Sequence, residues 1–93
     1  MIKVSYMPVI NGEMIKEELG FSQFECEFAH RAENGSYVCV GLDEDAKEDL
    51  LEEIEWENNR DSKRYNRLCN QLTFVKEMNK QGLNDCVLVY IFW

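Results

Sequence analysis

Cys86-Val87-Leu88-Val89-Tyr90-Ile91-Phe92-Trp93 is the stretch whose reading decides the fold. Eight apolar residues in a row, dominated by β-branched and aromatic side chains, are too few to span a membrane and read as one strand. A strand with no polar alternation predicts a central position, covered on both faces. Asn84-Asp85 turns the chain into it. The residues upstream must therefore supply neighbouring strands and the helices that cover them.

Working outward, Tyr65, Leu68, Cys69, Leu72, Val75 and Met78 recur at spacings of three and four. They predict a helix over about Asp61 to Gln81, stopped by Gly82. Before it, Ala46, Leu50, Leu51 and Ile54 form one stripe of a second helix within Asp43 to Glu57, and Asn58-Asn59 interrupts the pair. Phe21 to Leu42 predicts a β-hairpin. Phe24, Cys26 and Phe28 alternate with Glu25 and Glu27, and Asn34-Gly35 suits a two-residue turn. That register sets Glu33 against Ser36, Arg31 against Val38 and His30 against Cys39. Ile2 to Ile10 reads as a strand lying near an edge or end at Pro8, which has no N–H to give. Glu13 to Leu19 reads as a short helix stopped by Gly20, with a second strand after Asn11-Gly12 as the alternative. The expected architecture is α+β: a four-stranded, mostly antiparallel sheet with helices packed on it, in the order β-α-β-β-α-α-β.

At 93 residues the sequence suits one domain over residues 1–93. Eleven aromatic side chains and 45% hydrophobic residues separate it from a disordered acidic chain. Cys26, Cys39, Cys69 and Cys86 show no paired spacing, and Met1 to Tyr6 has no apolar signal-like run. The expectation is reduced, buried thiols and a cytoplasmic location.

Chemistry-bearing motifs are missing. The single histidine, His30, is expected to face Cys39, but a Cys–His pair needs a third orienting group to act as a nucleophile. Asp43, Asp45 and Lys47 imitate the opening of a calcium loop. Lys47 then stands where an oxygen ligand belongs, Glu48 where glycine belongs and Ile54 where a bidentate acid belongs. Zinc spacing, phosphate-binding glycine loops and hydrolase elbows do not occur. The sequence thus predicts no enzyme, no cofactor and no metal.

Charge is the informative feature. Asp43, Glu44, Asp45, Glu48, Asp49, Glu52, Glu53, Glu55 and Glu57 stand against one base, Lys47, which leaves −8 on this segment. Nine acids and nine bases cancel over the rest, so the net charge of the chain, −8, is the charge of this one helix. At 1.5 Å rise per residue that is about one charge per 2.8 Å, between the densities of duplex and single-stranded DNA. Like charges three and four apart repel, and an ordinary solvated helix interleaves lysines. Arg60, Lys63, Arg64 and Arg67, just downstream, could neutralise part of the row. A surface this acidic disfavours direct nucleic-acid binding and favours a basic protein partner.

In size, acidity and the one carboxylate-lined helix at Asp43 to Glu57, the chain resembles the small inhibitors made by bacteriophages. These are the anti-CRISPR and anti-restriction proteins that mimic DNA. The resemblance implies a non-catalytic inhibitor acting in the host cytoplasm. It would occupy the nucleic-acid-binding surface of a CRISPR effector or restriction nuclease with the nine acidic residues named above. Two alternatives stand beside it. An immunity protein against a nuclease toxin would use the same helix with aromatic anchors such as Trp56 or Tyr65. A homodimeric structural or adaptor protein would use a strand edge at Met1 to Ile10 or Cys86 to Trp93.

Overall fold

The computed structural model describes residues 3–10, 13–14, 19–21 and 26–92. Along the chain these form β1 (Lys3–Ile10), β2 (Glu13–Met14), β3 (Leu19–Phe21), α1 (Glu27–His30), β4 (Ser36–Gly41), α2 (Glu44–Trp56), α3 (Lys63–Lys80) and β5 (Cys86–Phe92). The class is α+β. The body of the sheet is three long antiparallel strands, with β5 between β1 and β4. The short β2 and β3 both pair with the far side of β1.

The apolar run is central, as its composition requires. Val87, Val89 and Ile91 are wholly buried beneath the helices, while Cys86, Leu88, Tyr90 and Phe92 on the other face are half-buried. Cover is therefore complete on one face and partial on the other. Tyr37, Tyr90 and Phe92 lie in a row on that second face, ring centroids 4.9 and 5.4 Å apart. With both edges of β5 occupied, the homodimer edge expected at Cys86 to Trp93 does not exist over the described part of the strand.

The four-stranded sheet and its β-α-β-β-α-α-β order are corrected at two places. Glu13–Met14 is strand, paired to Val9 and Ile10, so the helix expected from Glu13 starts wrongly; residues 15–18 lie outside the described residues. The hairpin over Phe21 to Leu42 is also absent. Phe24 and Glu25 lie outside the described residues, and Glu27–His30 is a turn of helix. Two periods compete there. Cys26 and Phe28 alternate like a strand, but Cys26 and Ala29, three apart, are the pair that is buried. In the helical turn Glu27 bonds both Arg31 one turn on and Arg67, 40 residues downstream. Asn34-Gly35, with Gly35 at φ +80°, links this helix to β4 and not strand to strand. The pairing of His30 with Cys39 and Arg31 with Val38 is replaced by Cys39 with Leu88 and Val38 with Val89.

Pro8 lies inside β1 opposite Val87, but on the outer side it falls between the stretches that β3 and β2 pair. The missing N–H thus sits where the outer ladder is already broken.

Helix α3 crosses the covered face and carries the core: Leu68, Phe74 and Met78 are fully buried and Val75 nearly so. Phe74 meets the Tyr6 ring edge-on at 5.9 Å and the Phe28 ring at 5.3 Å. The buried Tyr6 hydroxyl donates to Gln81 Oε1 at 3.2 Å, which satisfies its polar end. Ser62 caps the start of α3 by accepting from Tyr65 N. At the other end Gly82 N–H donates to the Asn79 carbonyl and Leu83 N–H to the Met78 carbonyl, a Schellman stop.

Candidate functional site: the acidic surface of helix α2

Helix α2 is held at three points and otherwise faces water. At its start, Leu42 N–H donates to the Asp85 carbonyl and Asn79 Nδ2 donates to the Leu42 carbonyl, which ties the end of β4 to both α3 and the β5 approach. Asp43 then accepts from Ala46 N at 2.8 Å, so one carboxylate of the acidic segment serves as the helix cap. In the middle Leu50 is the one buried residue of the helix, with Ile54 and Ala46 half-buried. Burying one leucine contributes roughly 2 kcal/mol, a thin hydrophobic anchor for a helix of this length. Leu51, expected in the buried stripe, is half exposed.

The third point is Arg64. Its guanidinium lies 3.1 Å from Glu57, 3.8 Å from Glu53 and 3.8 Å from Glu27. Arg64 thus clamps the last turn of α2 to α3 and α1 together. Arg67 donates to Glu27 at 2.8 Å, and Arg60 lies 5.5 Å over the Tyr65 ring. Lys63 is exposed at the start of α3.

Internal neutralisation of the acidic row is therefore partial. Glu44 pairs with Lys47 at 2.9 Å, and Glu53 and Glu57 with Arg64. Asp45, Glu48, Asp49, Glu52 and Glu55 are exposed, and no cation pairs with them among the described residues. The row is flanked by large apolar side chains: Trp56 is 72% exposed and Leu51 50%. Asp49, Glu52, Glu53, Trp56 and Arg64 line an open hollow of about 640 Å³. A second, of about 430 Å³, is lined by Leu42, Asp43, Glu44, Asp45 and Asn84 at the helix start. Such a surface can accept hydrogen bonds and charge from guanidinium and ammonium groups and can stack a cation or an apolar chain on an indole face.

Sequence reasoning placed the acidic row on a helix and named Trp56 as an anchor beside it, but assigned Leu51, half exposed, to the buried stripe. It did not find Glu27, whose buried carboxylate gathers Arg31, Arg64 and Arg67. Burial raises the Glu27 pKa, yet the Arg67 hydrogen bond and the three guanidinium charges outweigh it and hold the carboxyl below its ordinary range. The Glu27 to Arg31 spacing of one helical turn was the available signal.

The expectation of buried thiols is met by Cys26 alone: Cys69 and Cys86 are half-buried, and Cys39, on the outer strand β4, is exposed. Burial pushes Cys26 up to about 12. Burial, the hydrogen bond and charge of Cys39, and the Asp85 and Asp43 carboxylates push Cys86 up to about 11. Both thiols stay protonated near neutral pH, when a thiolate is the nucleophilic form. Among the described residues no group of three or more His, Cys, Asp or Glu side chains is arranged to hold a metal ion. No helix among them is long and apolar enough to cross a membrane. Comparisons with protein-family models, with curated proteins and with solved structures each return no match.

Proposed function

We propose that the chain is a non-catalytic protein inhibitor whose helix α2 occupies a basic nucleic-acid-binding surface of a nuclease or CRISPR effector, as a DNA mimic acting in the cytoplasm. The observation that carries this reading is the row Asp45, Glu48, Asp49, Glu52 and Glu55, exposed and, among the described residues, without cation partners, on a helix that the fold fixes at both ends. Carboxylates in such a row meet the arginines and lysines that otherwise contact phosphates. Association is then fast and falls steeply with salt.

Substituting Glu48, Asp49 and Glu52 together by lysine tests it. Binding to the target is lost at physiological salt while the far-ultraviolet circular dichroism is unchanged. The target is sought by affinity capture from cells carrying a CRISPR or restriction system, followed by competition of the captured enzyme with its DNA. Undiminished binding by the triple variant would remove α2 from the interface.

A second reading, an immunity protein against a nuclease toxin, draws on Trp56. An indole 72% exposed beside a carboxylate row has the character of an interface anchor. Trp56→Ala separates the two: a loss of binding larger than that of the lysine triple favours the anchor-centred interface.

A further inference from the structure

Among the described residues the outer edge of β4 is open. Leu42 N–H donates to the Asp85 carbonyl beyond the facing pair Gly41 and Cys86, which makes that pair non-hydrogen-bonded. By alternation, Val40 and Val38 exchange bonds with β5, while at the strand start Gly35 N–H donates to the Ile91 carbonyl and Ser36 N–H to the Glu33 carbonyl; the N–H and C=O groups of Tyr37, Cys39 and Gly41 point away from the sheet. Among the described residues no backbone pairs with them, and all three residues are exposed. Natural sheet edges usually carry a charge, a proline or a bulge that blocks pairing. Ser36-Tyr37-Val38-Cys39-Val40-Gly41 carries neither charge nor proline, and the one bulge, Gly35 and Ser36 both facing Ile91, lies before the Tyr37 to Gly41 stretch.

We propose that this edge is a self-association site, at which two copies pair their β4 strands antiparallel about a two-fold axis through Cys39. The outward groups fall symmetrically about Cys39, so the axis sets Cys39 against its equivalent and Tyr37 against Gly41 of the second copy. Each facing pair exchanges two hydrogen bonds, about six in all. The side chains fit the same register. Gly41 has no Cβ, and the place where one would stand is 2.9 Å from the Ala46 methyl. The Ala46 methyl already covers Gly41 on that face, so the exposed Tyr37 ring of the second copy packs against this methyl.

Charge permits the pairing because it is antiparallel. Asp43, where each acidic helix begins, lies four residues beyond Cys39 in each copy. The two helix starts are therefore about 26 Å apart at 3.3 Å per residue, roughly three Debye lengths at physiological salt. The row of Tyr37, Tyr90 and Phe92 also runs up to this edge, so the half-buried face becomes continuous across the two copies.

Sedimentation velocity on the reduced full chain, from about 5 µM to about 1 mM, tests the proposal. The mass moves from 11.0 kDa toward twice that value, with the weak affinity of an interface below about 1,200 Å². Cys39→Pro deletes the central outward N–H and spares the β5 ladder, because proline is tolerated where an edge N–H faces solvent. It raises the dissociation constant at least roughly tenfold, as expected for two lost hydrogen bonds. Cys39→Lys sets like charges across the axis and produces the same loss, and it decides the matter if the proline variant fails to fold. In a Cys86→Ser background, diamide takes two protons and two electrons from the facing thiols and leaves a disulfide dimer through Cys39. A chain that stays monomeric at 1 mM overturns the proposal. So does a dimer that both Cys39 variants leave unchanged, or a cross-link that avoids Cys39.

Discussion

Replacing Glu27 by glutamine keeps the shape of the side chain and removes the charge that three arginines surround. The Glu27 side chain is 10% exposed and the Arg67 side chain 12%, with Nε and Oε2 2.8 Å apart. Arg31 and Arg64 are 70% and 37% exposed, so solvent screening reduces each of their pairs to a few tenths of a kcal/mol. Breaking a buried ion pair from one side costs about 3–5 kcal/mol, and glutamine retains one acceptor oxygen for Arg67. The expected loss is about 2–3 kcal/mol, which lowers Tm by roughly 10–20 °C in a domain of this size. The pH dependence has a definite sign. Glu27 titrates below its ordinary value in the fold, so its contribution is complete above the unfolded carboxyl value near 4.3. It is lost as pH falls below that value through the lower folded one. Urea unfolding of both proteins between about pH 7 and pH 3 measures the difference. A gap under about 1 kcal/mol at pH 7, or one that does not narrow on acidification, refutes the claim that the Glu27 charge organises the junction of α1 and α3.

Asp43→Ala removes the acceptor for Ala46 N and costs about 1 kcal/mol in urea unfolding; no loss would mean that the cap contributes nothing. Native alkylation with iodoacetamide near pH 8 modifies the exposed Cys39 well before the buried Cys26, whose thiol is pushed up to about 12, as read by peptide mass spectrometry. Equal rates at the two sites would show that the pocket around Cys26 opens freely.

Elements whose signal lies in one long period were legible in the sequence, and elements decided by distant partners were not. The uninterrupted apolar run specified β5 as central because no amphipathic pattern competed with it. In α3 the spacing of Leu68, Val75 and Met78 extends over several turns, so one misread position, the omitted Phe74, changed little. Residues 26–30 had no such redundancy. In a window this short the strand-like and helix-like periods both fit, and the choice falls to arginines, one of them 40 residues downstream. The acidic site divides the same way. Composition located the carboxylates, but which of them are neutralised depends on where four downstream cations turn: Arg64 reaches Glu53 and Glu57 of the row, whereas Arg67 bonds Glu27. That outcome separates stability from the proposed function. The fold depends on α3, the sheet and Glu27, whereas α2 is secured by Leu50, a cap and one arginine. Its outer carboxylates make no contact that the fold needs, and like-charge repulsion along the row makes them a cost of a few tenths of a kcal/mol per pair. The proposed binding of a basic partner gives this row a role that stability does not.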